Sequence, residues 1–176
     1  MAETTDKNLS NKNSESSSLI KDEEVLKIIT KASAKASGIA ALPVPLLDIA
    51  GVSFVQLKMV EQIGERYGLE VTDKSNILIS SIVTSLLGKL ISLAISQAVN
   101  ATSLDKILGE SLVKASIAGF VTTITGEVYH DHFSKKGTFE DISVDHYLDY
   151  FKDQINSDRL TIDKLGSQAI SSILGK

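Results

Sequence analysis

The stretch Ile77–Val99, ILISSIVTSLLGKLISLAISQAV, decides the fold because it is the most hydrophobic part of the chain and carries one charge, Lys89. A helix of that length spans roughly 35 Å, which is enough to cross a bilayer, although it suits the centre of a helical bundle equally well. Small side chains recur every four residues along it, at Ser80, Thr84, Gly88, Ser92 and Ser96. Such a stripe lets a second helix approach closely.

Residues 109–133, GESLVKASIAGFVTTITGEVYHDHF, repeat this pattern after a turn near residues 100–106. Their small side chains fall at Ser111, Ala115, Gly119 and Thr123. The β-branched run VTTIT would also suit a strand, but the residues around it keep the helical period. We therefore predict an antiparallel helical hairpin in which the two stripes of small residues face each other.

Two further helices are predicted before the hairpin. In the first, apolar residues recur at helical spacing at Val25, Ile28, Ile29, Ala32 and Ala36. Pro43 and Pro45 interrupt that helix, and Pro45 suits the first position of a second helix. The second helix is expected to end near Tyr67, with Gly68 as its C-terminal stop.

The chain beyond the Lys135-Lys136-Gly137 turn is amphipathic. One predicted helix carries Tyr147, Leu148, Phe151 and Ile155 on one face, and a second carries Ile162, Leu165, Ala169 and Ile173. These faces either pack on the rest of the protein or dock on a partner or a membrane surface. The predicted fold class is all-α, a helical bundle with a central Gly/Ser/Ala-rich antiparallel helical hairpin and C-terminal amphipathic helices.

The domain organisation follows from where the polar segments lie. Residues 1–20 contain almost no apolar side chain before Leu19, so composition predicts a disordered polar tail. The tail has neither the apolar core of a secretory signal nor the arginines of a mitochondrial presequence. A helical domain is predicted over residues 21–136, and an amphipathic helical extension over residues 137–176.

Composition narrows the possible functions. The chain is 43% hydrophobic but only 5% aromatic, and it has no cysteine, which excludes disulfides, thiolate metal sites and a cysteine nucleophile. Its net charge of -4, with both signs mixed, provides no basic surface for nucleic acid. The Gly88-Lys89 pair is followed by leucine inside an apolar helix, so it does not form a phosphate-binding loop.

Histidines and aspartates cluster at the HDH stretch of residues 130–132, but no metal site is predicted there. His130 and His132 lie about 200° apart around a helix and do not share a metal ion. Glu127 and His130 have the i, i+3 spacing of di-iron bundles, but such sites need a second motif of this kind on a facing helix.

Two isolated polar residues complete the search for chemistry. His146 with Asp145 or Asp149 could form an acid–base pair, but no positioned nucleophile accompanies it. Asp48 is expected to stabilise the first turn of its helix, with a polar contact inside the bundle or to a partner as the alternative. We therefore predict that the protein is not an enzyme and uses no cofactor or metal.

Two candidate membrane spans, residues 77–99 and 110–130, would place both flanks on one side of a bilayer. Basic residues are more frequent in the flanks than in the connecting turn, which favours cytoplasmic termini. Lys89 near the centre of the first span costs about 2.5–3.5 kcal/mol, which the surrounding leucines and isoleucines can offset. The alternative is a soluble oligomer in the cytoplasm that buries the hairpin between subunits.

Two blocks of the sequence resemble a bacterial family of unknown function typified by the YcjF inner-membrane protein. The first block, SGIAALPVPLLDIAGVSFVQLKMVEQIGERYGLE, matches the family at Pro43, Pro45, Asp48, Gln56, Tyr67 and Gly68. The second, GFVTTITGEVYHDHF, matches it at Gly119, Thr122, Thr123 and Gly126. The two blocks occur in the family's order and the resemblance covers about residues 25–135.

The resemblance implies an α-helical, membrane-associated domain that is fused to, or encoded beside, GTPases. This chain carries no GTPase domain, so a GTPase partner would act in trans. The family has no established catalytic residues, and the matching positions, with the small-residue stripes, are expected to serve packing or partner contact. We predict a homo-oligomer at the bacterial inner membrane, with lipid as a partner and without nucleic acid.

Overall fold

The computed structural model of the protein describes residues 3–42, 47–100 and 110–154, and within them the side-chain surroundings of residues 22–42, 49–90, 92 and 111–154. Over these ranges the chain forms five helices and no strand. The helices are α1 (Glu3–Ala40), α2 (Leu47–Arg66), α3 (Asp73–Asn100), α4 (Glu110–Ser134) and α5 (Val144–Gln154). The prediction of an all-α bundle is confirmed, and the VTTIT run is helical within α4.

Helix α4 lies at the centre of the bundle, because it packs against each of the other four helices and most extensively against α1. Helix α1 runs antiparallel to α2, since Glu24, near the start of the part of α1 whose side chains are described, pairs with Arg66 at the end of α2, at 3.0 Å. At the other end of the pair, the Ile39 side chain of α1 lies against Gly51 of α2. Helix α4 also runs antiparallel to α1 and therefore parallel to α2.

The core consists mainly of aliphatic side chains from the first four helices. In α1 the predicted apolar face is confirmed: Val25, Ile29, Ala32 and Ala36 are buried, and Ile28 is half-buried against them. The same core takes Val60 and Ile63 from α2, Val83 and Leu87 from α3, and Val121 and Ile124 from α4. Full burial of one such side chain is worth about 1.5–3 kcal/mol, so these contacts drive the helices together.

The start of α1 differs from the expectation for the polar segment. Residues 3–20, for which composition predicts disorder, are helical in the structure and continuous with the rest of α1. Neither proline nor glycine occurs before Gly38, so no residue type in this segment interrupts a helix. The division of the chain at residues 20 and 136 stays a prediction.

Helices α2 and α4 end in the same hydrogen-bonded motif. In α2, the amide of Leu69 donates to the carbonyl of Gly64, and Gly68 takes the left-handed conformation with φ of 76°. In α4, the amide of Gly137 donates to the carbonyl of His132, and Lys136 takes the left-handed position with φ of 66°. Both stops were expected from sequence, but only α2 has its glycine at the position that needs one.

The predicted contact between the small-residue stripes of α3 and α4 is wrong. Thr84, Gly88 and Ser92 of α3 are exposed, and no atom lies within 4 Å of the position that a side chain on Gly88 would take. Helix α3 uses its bulky face instead, because Ile79, Val83 and Leu86 carry more apolar surface to bury. Within the described residues, no helix combines the length and the apolar character needed to cross a bilayer.

The apolar face of α5 packs against the core of the bundle. Tyr147 and Phe151 are buried completely, and Leu148 packs at the edge of the core. The Tyr147 hydroxyl hydrogen-bonds to Thr125 of α4, and the Phe151 ring meets Phe120 of α4 edge-on at 5.9 Å. This face therefore packs on the protein rather than on a partner. Ile155 and the second predicted face, from Ile162 to Ile173, lie outside the described residues.

Candidate functional site

The small residues of α4 pack against α1 rather than α3. The ideal position of a side chain on Gly119 lies 2.3 Å from Ser37 Oγ, so α1 approaches the α4 backbone directly at this point. One turn further along α4, Thr123 Oγ1 lies 2.8 Å from Ser33 Oγ. Ala115 of the same stripe is buried. We name the contact of Ser33 and Ser37 of α1 with Gly119 and Thr123 of α4 the α1–α4 seam.

Gly126 extends the α1–α4 seam to a third helix. A side chain added there would meet Ile29 Cγ1 of α1 at 2.6 Å and Met59 Sδ of α2 at 3.1 Å. Both of those side chains are buried. A larger residue at position 126 would therefore push α1 and α2 away from α4 together.

A buried hydrogen bond links the two sequence blocks. Gln56 of α2 is 1% exposed, and its Nε2 donates to Thr122 Oγ1 of α4 at 3.1 Å. Thr122 is fully buried as well. Because a polar group inside an apolar core is costly without a partner, this pair fixes how α2 and α4 align.

The remaining predicted positions take other places. Tyr67 and Gly68 lie at the C-terminal end of α2, whereas Pro43 and Pro45 lie outside the described residues. Asp48 belongs to the first turn of α2, and its side chain lies outside the described set. In α3, Ser80 is half-buried and Thr84, Gly88 and Ser92 are exposed, while the side chain of Ser96 lies outside the described set. Among the motif residues whose side chains are described, Gln56 of the first block hydrogen-bonds to Thr122 of the second.

All three histidines lie at the end of the bundle where α4 stops, and each has an aspartate nearby. His130 Nε2 lies 3.6 Å from Asp22, His132 Nε2 lies 2.8 Å from Asp141, and His146 Nε2 lies 3.9 Å from Asp131. These contacts tie α1, the loop after α4 and α5 to the end of α4. His146 thus approaches Asp131 rather than forming the acid–base pair with Asp145 or Asp149 considered from sequence.

Two of these contacts have further partners that define their chemistry. Tyr67 Oη lies 2.8 Å from His130 Nδ1, and burial, followed by the charge of Asp22, raises the pKa of Tyr67. His132 Nε2 faces both Asp141 Oδ1 and the carbonyl of Thr138, so this nitrogen carries the proton. The Thr138 amide, with a smaller contribution from His132, lowers the pKa of Asp141.

The described residues do not assemble a metal site, since no group of three or more His, Asp and Glu side chains among them is arranged to hold an ion. A groove of about 520 Å³ between α1 and α2 is lined mainly by Glu24, Lys27, Lys31, Glu65 and Arg66. Its charges largely neutralise one another, because Arg66 pairs with Glu24 and Lys27 pairs with Glu23. The groove therefore has no strong preference for an anion or a cation.

Sequence analysis missed the residues of α1 that contact α4. Ser33 and Ser37 were not singled out, although the run KASAKASG places small side chains four residues apart just as the α3 and α4 stripes do. This repeat was the signal that could have identified α1 as a partner for α4. The contact of Tyr67 with His130 had no comparable signal, because 63 positions separate the two residues.

Comparison with known proteins places the chain in a family. Residues 4–159 match the sequence model of a family described as a domain of unknown function, DUF697. The chain is also 32% identical over 130 residues to the magnetosome membrane protein 22 of Magnetospirillum gryphiswaldense. That alignment covers 70% of this chain and 65% of the relative, so the chain spans just under two thirds of the relative's length. No solved structure matches.

Proposed function

The chain belongs to the DUF697 family, and on that premise we propose that it is a non-enzymatic helical protein that associates with a membrane. The observation that carries the proposal is the 32% identity to a relative that is itself named a membrane protein. The membrane that we propose is the bacterial inner membrane, bound from its cytoplasmic side, so that both chain termini lie in the cytoplasm.

The way in which the shared motif residues are used supports a structural role. Gln56 and Thr122 bind each other inside the core, and Gly119 and Gly126 make room for neighbouring helices. A catalytic group has to reach a substrate, whereas these residues contact other helices of the same chain. In this chain the shared motif residues therefore hold the helices of the bundle together and do not present reactive groups to a substrate.

Self-assembly and the anchoring of a GTPase in trans form the finer part of the proposal. The resemblance to GTPase-associated membrane proteins supports the GTPase partner. The exposed small side chains of α3, at Thr84, Gly88 and Ser92, support close contact with a further helix. In this arrangement the chain would hold a soluble GTPase near the membrane.

Membrane association is tested by fractionating bacterial cells that express the full chain. We expect the protein in the membrane pellet, and retention there after washing with high salt would show that its attachment is not only electrostatic. Recovery of the protein in the supernatant as a defined oligomer would contradict the proposal. That outcome would favour a soluble scaffold that buries the exposed face of α3 between subunits.

The GTPase partner requires a separate experiment. Tagged full chain is crosslinked in host cells, purified in detergent and digested, and the crosslinked peptides are identified by mass spectrometry. We expect crosslinks to a protein that carries the phosphate-binding sequence G-x-x-x-x-G-K-[ST]. Crosslinks confined to copies of the chain itself would support self-assembly and contradict the GTPase partner.

A further inference from the structure

The end of the bundle where α1 stops and α2 begins exposes large apolar side chains. Leu42 is 59% exposed, Ile49 is 50% exposed and Phe54 is 60% exposed. The close contact of Ile39 with Gly51 holds the end of α1 and the start of α2 together, so these side chains share one end of the molecule. We name Leu42, Ile49 and Phe54 the apolar tip.

The apolar tip extends along α2 over a distance that matches a shallow insertion into a membrane. Phe54 lies seven residues beyond Leu47, the first residue of α2, which is about 10 Å along the helix axis. Protein segments that bind at the membrane interface bury their apolar side chains about 5–10 Å into it.

Charge is distributed unevenly along the bundle. The sequence from Ala36 to Leu57, which includes the tip, contains a single charged residue, Asp48. At the opposite end, where α2 and α4 stop, acidic residues outnumber basic ones, with Asp22, Asp131 and Asp141 among them. Helix α4 begins at the end that carries the tip and adds Glu110 and Lys114 there, whose charges are opposite. A bilayer with anionic headgroups therefore repels the acidic end more strongly than the end that carries the tip.

Lysines border the apolar tip on both of its helices. Lys35 of α1 lies five residues before the end of its helix, and Lys58 of α2 lies about one turn beyond Phe54. Both are exposed, although Lys58 also pairs with Glu61 at 2.6 Å. Long basic side chains behind an inserted apolar segment reach lipid phosphates while their stems stay at the interface.

From these observations we infer that the apolar tip inserts into the headgroup region of an anionic lipid bilayer. Lys35 and Lys58 then lie at the level of the phosphates, and the acidic end faces away from the membrane. The inference rests on the proposed membrane association and names the surface that makes the contact.

A tryptophan placed in the tip reports insertion directly, because the chain contains no tryptophan. The full-length variant F54W is mixed with vesicles of phosphatidylcholine alone or with added phosphatidylglycerol. We expect its emission to shift to shorter wavelength with the anionic vesicles and to be quenched by lipids brominated near the headgroup. The matched control is L26W, since Leu26 is 62% exposed on α1 among the charged residues of the other end, and its emission should not change.

Sedimentation of the same samples distinguishes insertion of the apolar tip from membrane association in general. If F54W sediments with vesicles but keeps the emission of solvent-exposed tryptophan, the protein binds membranes by another surface and the inference is overturned. If F54W does not sediment with either vesicle, both the inference and the proposed membrane association are contradicted. A shift that depends on protein concentration without vesicles would show that a second copy covers the tip, which also overturns the inference.

Removal of the apolar surface provides the complementary test. The double variant L42S/F54S should bind anionic vesicles at least about tenfold more weakly, because each of the two side chains buries apolar area on insertion. The control L26S/I77S removes two equally exposed apolar side chains elsewhere and should bind like the unchanged protein. Circular dichroism confirms that both variants are folded. Equal binding by both variants would overturn the inference.

Discussion

The hydrogen bond from Gln56 to Thr122 is the residue-scale contact on which the alignment of α2 and α4 depends. It joins two side chains that are 66 positions apart in sequence and almost fully removed from solvent. A buried amide that loses its partner costs more than the hydrogen bond itself contributes. The pair therefore selects one register for the two helices, since any shift would leave both groups unpaired in the core.

A double-mutant cycle measures this contact. We expect Q56L and T122V each to lower the free energy of unfolding by about 1–3 kcal/mol, because each leaves a buried polar group unsatisfied. The double variant should be less destabilised than the sum of the two, with a coupling of about 0.5–1.5 kcal/mol. Urea unfolding followed by circular dichroism provides the values. Strict additivity would show that the two side chains do not interact.

The two left-handed residues allow a paired prediction. G68A should destabilise the protein by about 1 kcal/mol, because the added methyl group has free space around it but the backbone φ of 76° disfavours it. K136G should stabilise it by about 0.5–1 kcal/mol, because glycine removes the same strain at φ of 66°. Urea midpoints that move in the same direction for both variants would contradict this account.

Among the helices, the α1–α4 seam explains why α4 packs more closely against α1 than against α3. Ser33 and Ser37 of α1 bring short polar side chains against Gly119 and Thr123, where a bulkier residue would hold the helices apart. Helix α3 carries an equally regular stripe, but its Thr84, Gly88 and Ser92 are exposed to solvent and its aliphatic face is buried. Spacing alone therefore does not identify which pair of helices makes close contact.

Gly126, which extends the α1–α4 seam, and Gly88, in the stripe of α3, test that distinction. G126A should destabilise the protein by about 1–3 kcal/mol, because the new methyl group overlaps the buried Ile29 and Met59 side chains. G88A should raise the stability by up to about 1 kcal/mol, because alanine favours the helix and the site is open. The measurement is the thermal midpoint of each variant. Loss of stability in G88A would indicate that α3 makes a close contact after all.

At the scale of the whole molecule, two buried tyrosines join α5 to α4 and couple the fold to pH. Burial, the largest cause in each case, raises the pKa of Tyr129 and of Tyr147. Their rings meet edge-on at 6.5 Å, and neither phenol can ionise inside the core without a large cost. The folded state therefore keeps both protons at a pH at which the unfolded chain releases them.

Stability should consequently fall as the pH rises above about 10, the ordinary pKa of tyrosine. Each of the two phenols contributes a slope of about 1.4 kcal/mol per pH unit, because only the unfolded state ionises in this window. Y147F removes one of these protons, so the slope of its stability against pH should be smaller by about 1.4 kcal/mol per pH unit. Urea midpoints at a series of alkaline pH values test this, and an unchanged slope in Y147F would contradict it.

Apart from residues 3–20, the helices, most of their ends and the apolar faces of α1 and α5 can be predicted from the sequence, because hydrophobic period, proline, glycine and capping act over a few residues. The family resemblance also pointed to Gln56, Thr122, Gly119 and Gly126 as candidates for packing or partner contact. The close pairing of α4 with α1 and the hydrogen bond between Gln56 and Thr122 become visible only in the folded bundle. Three helices carry small residues at the same spacing, and the choice among them depends on which combination buries the larger aliphatic faces, a property of the assembled bundle.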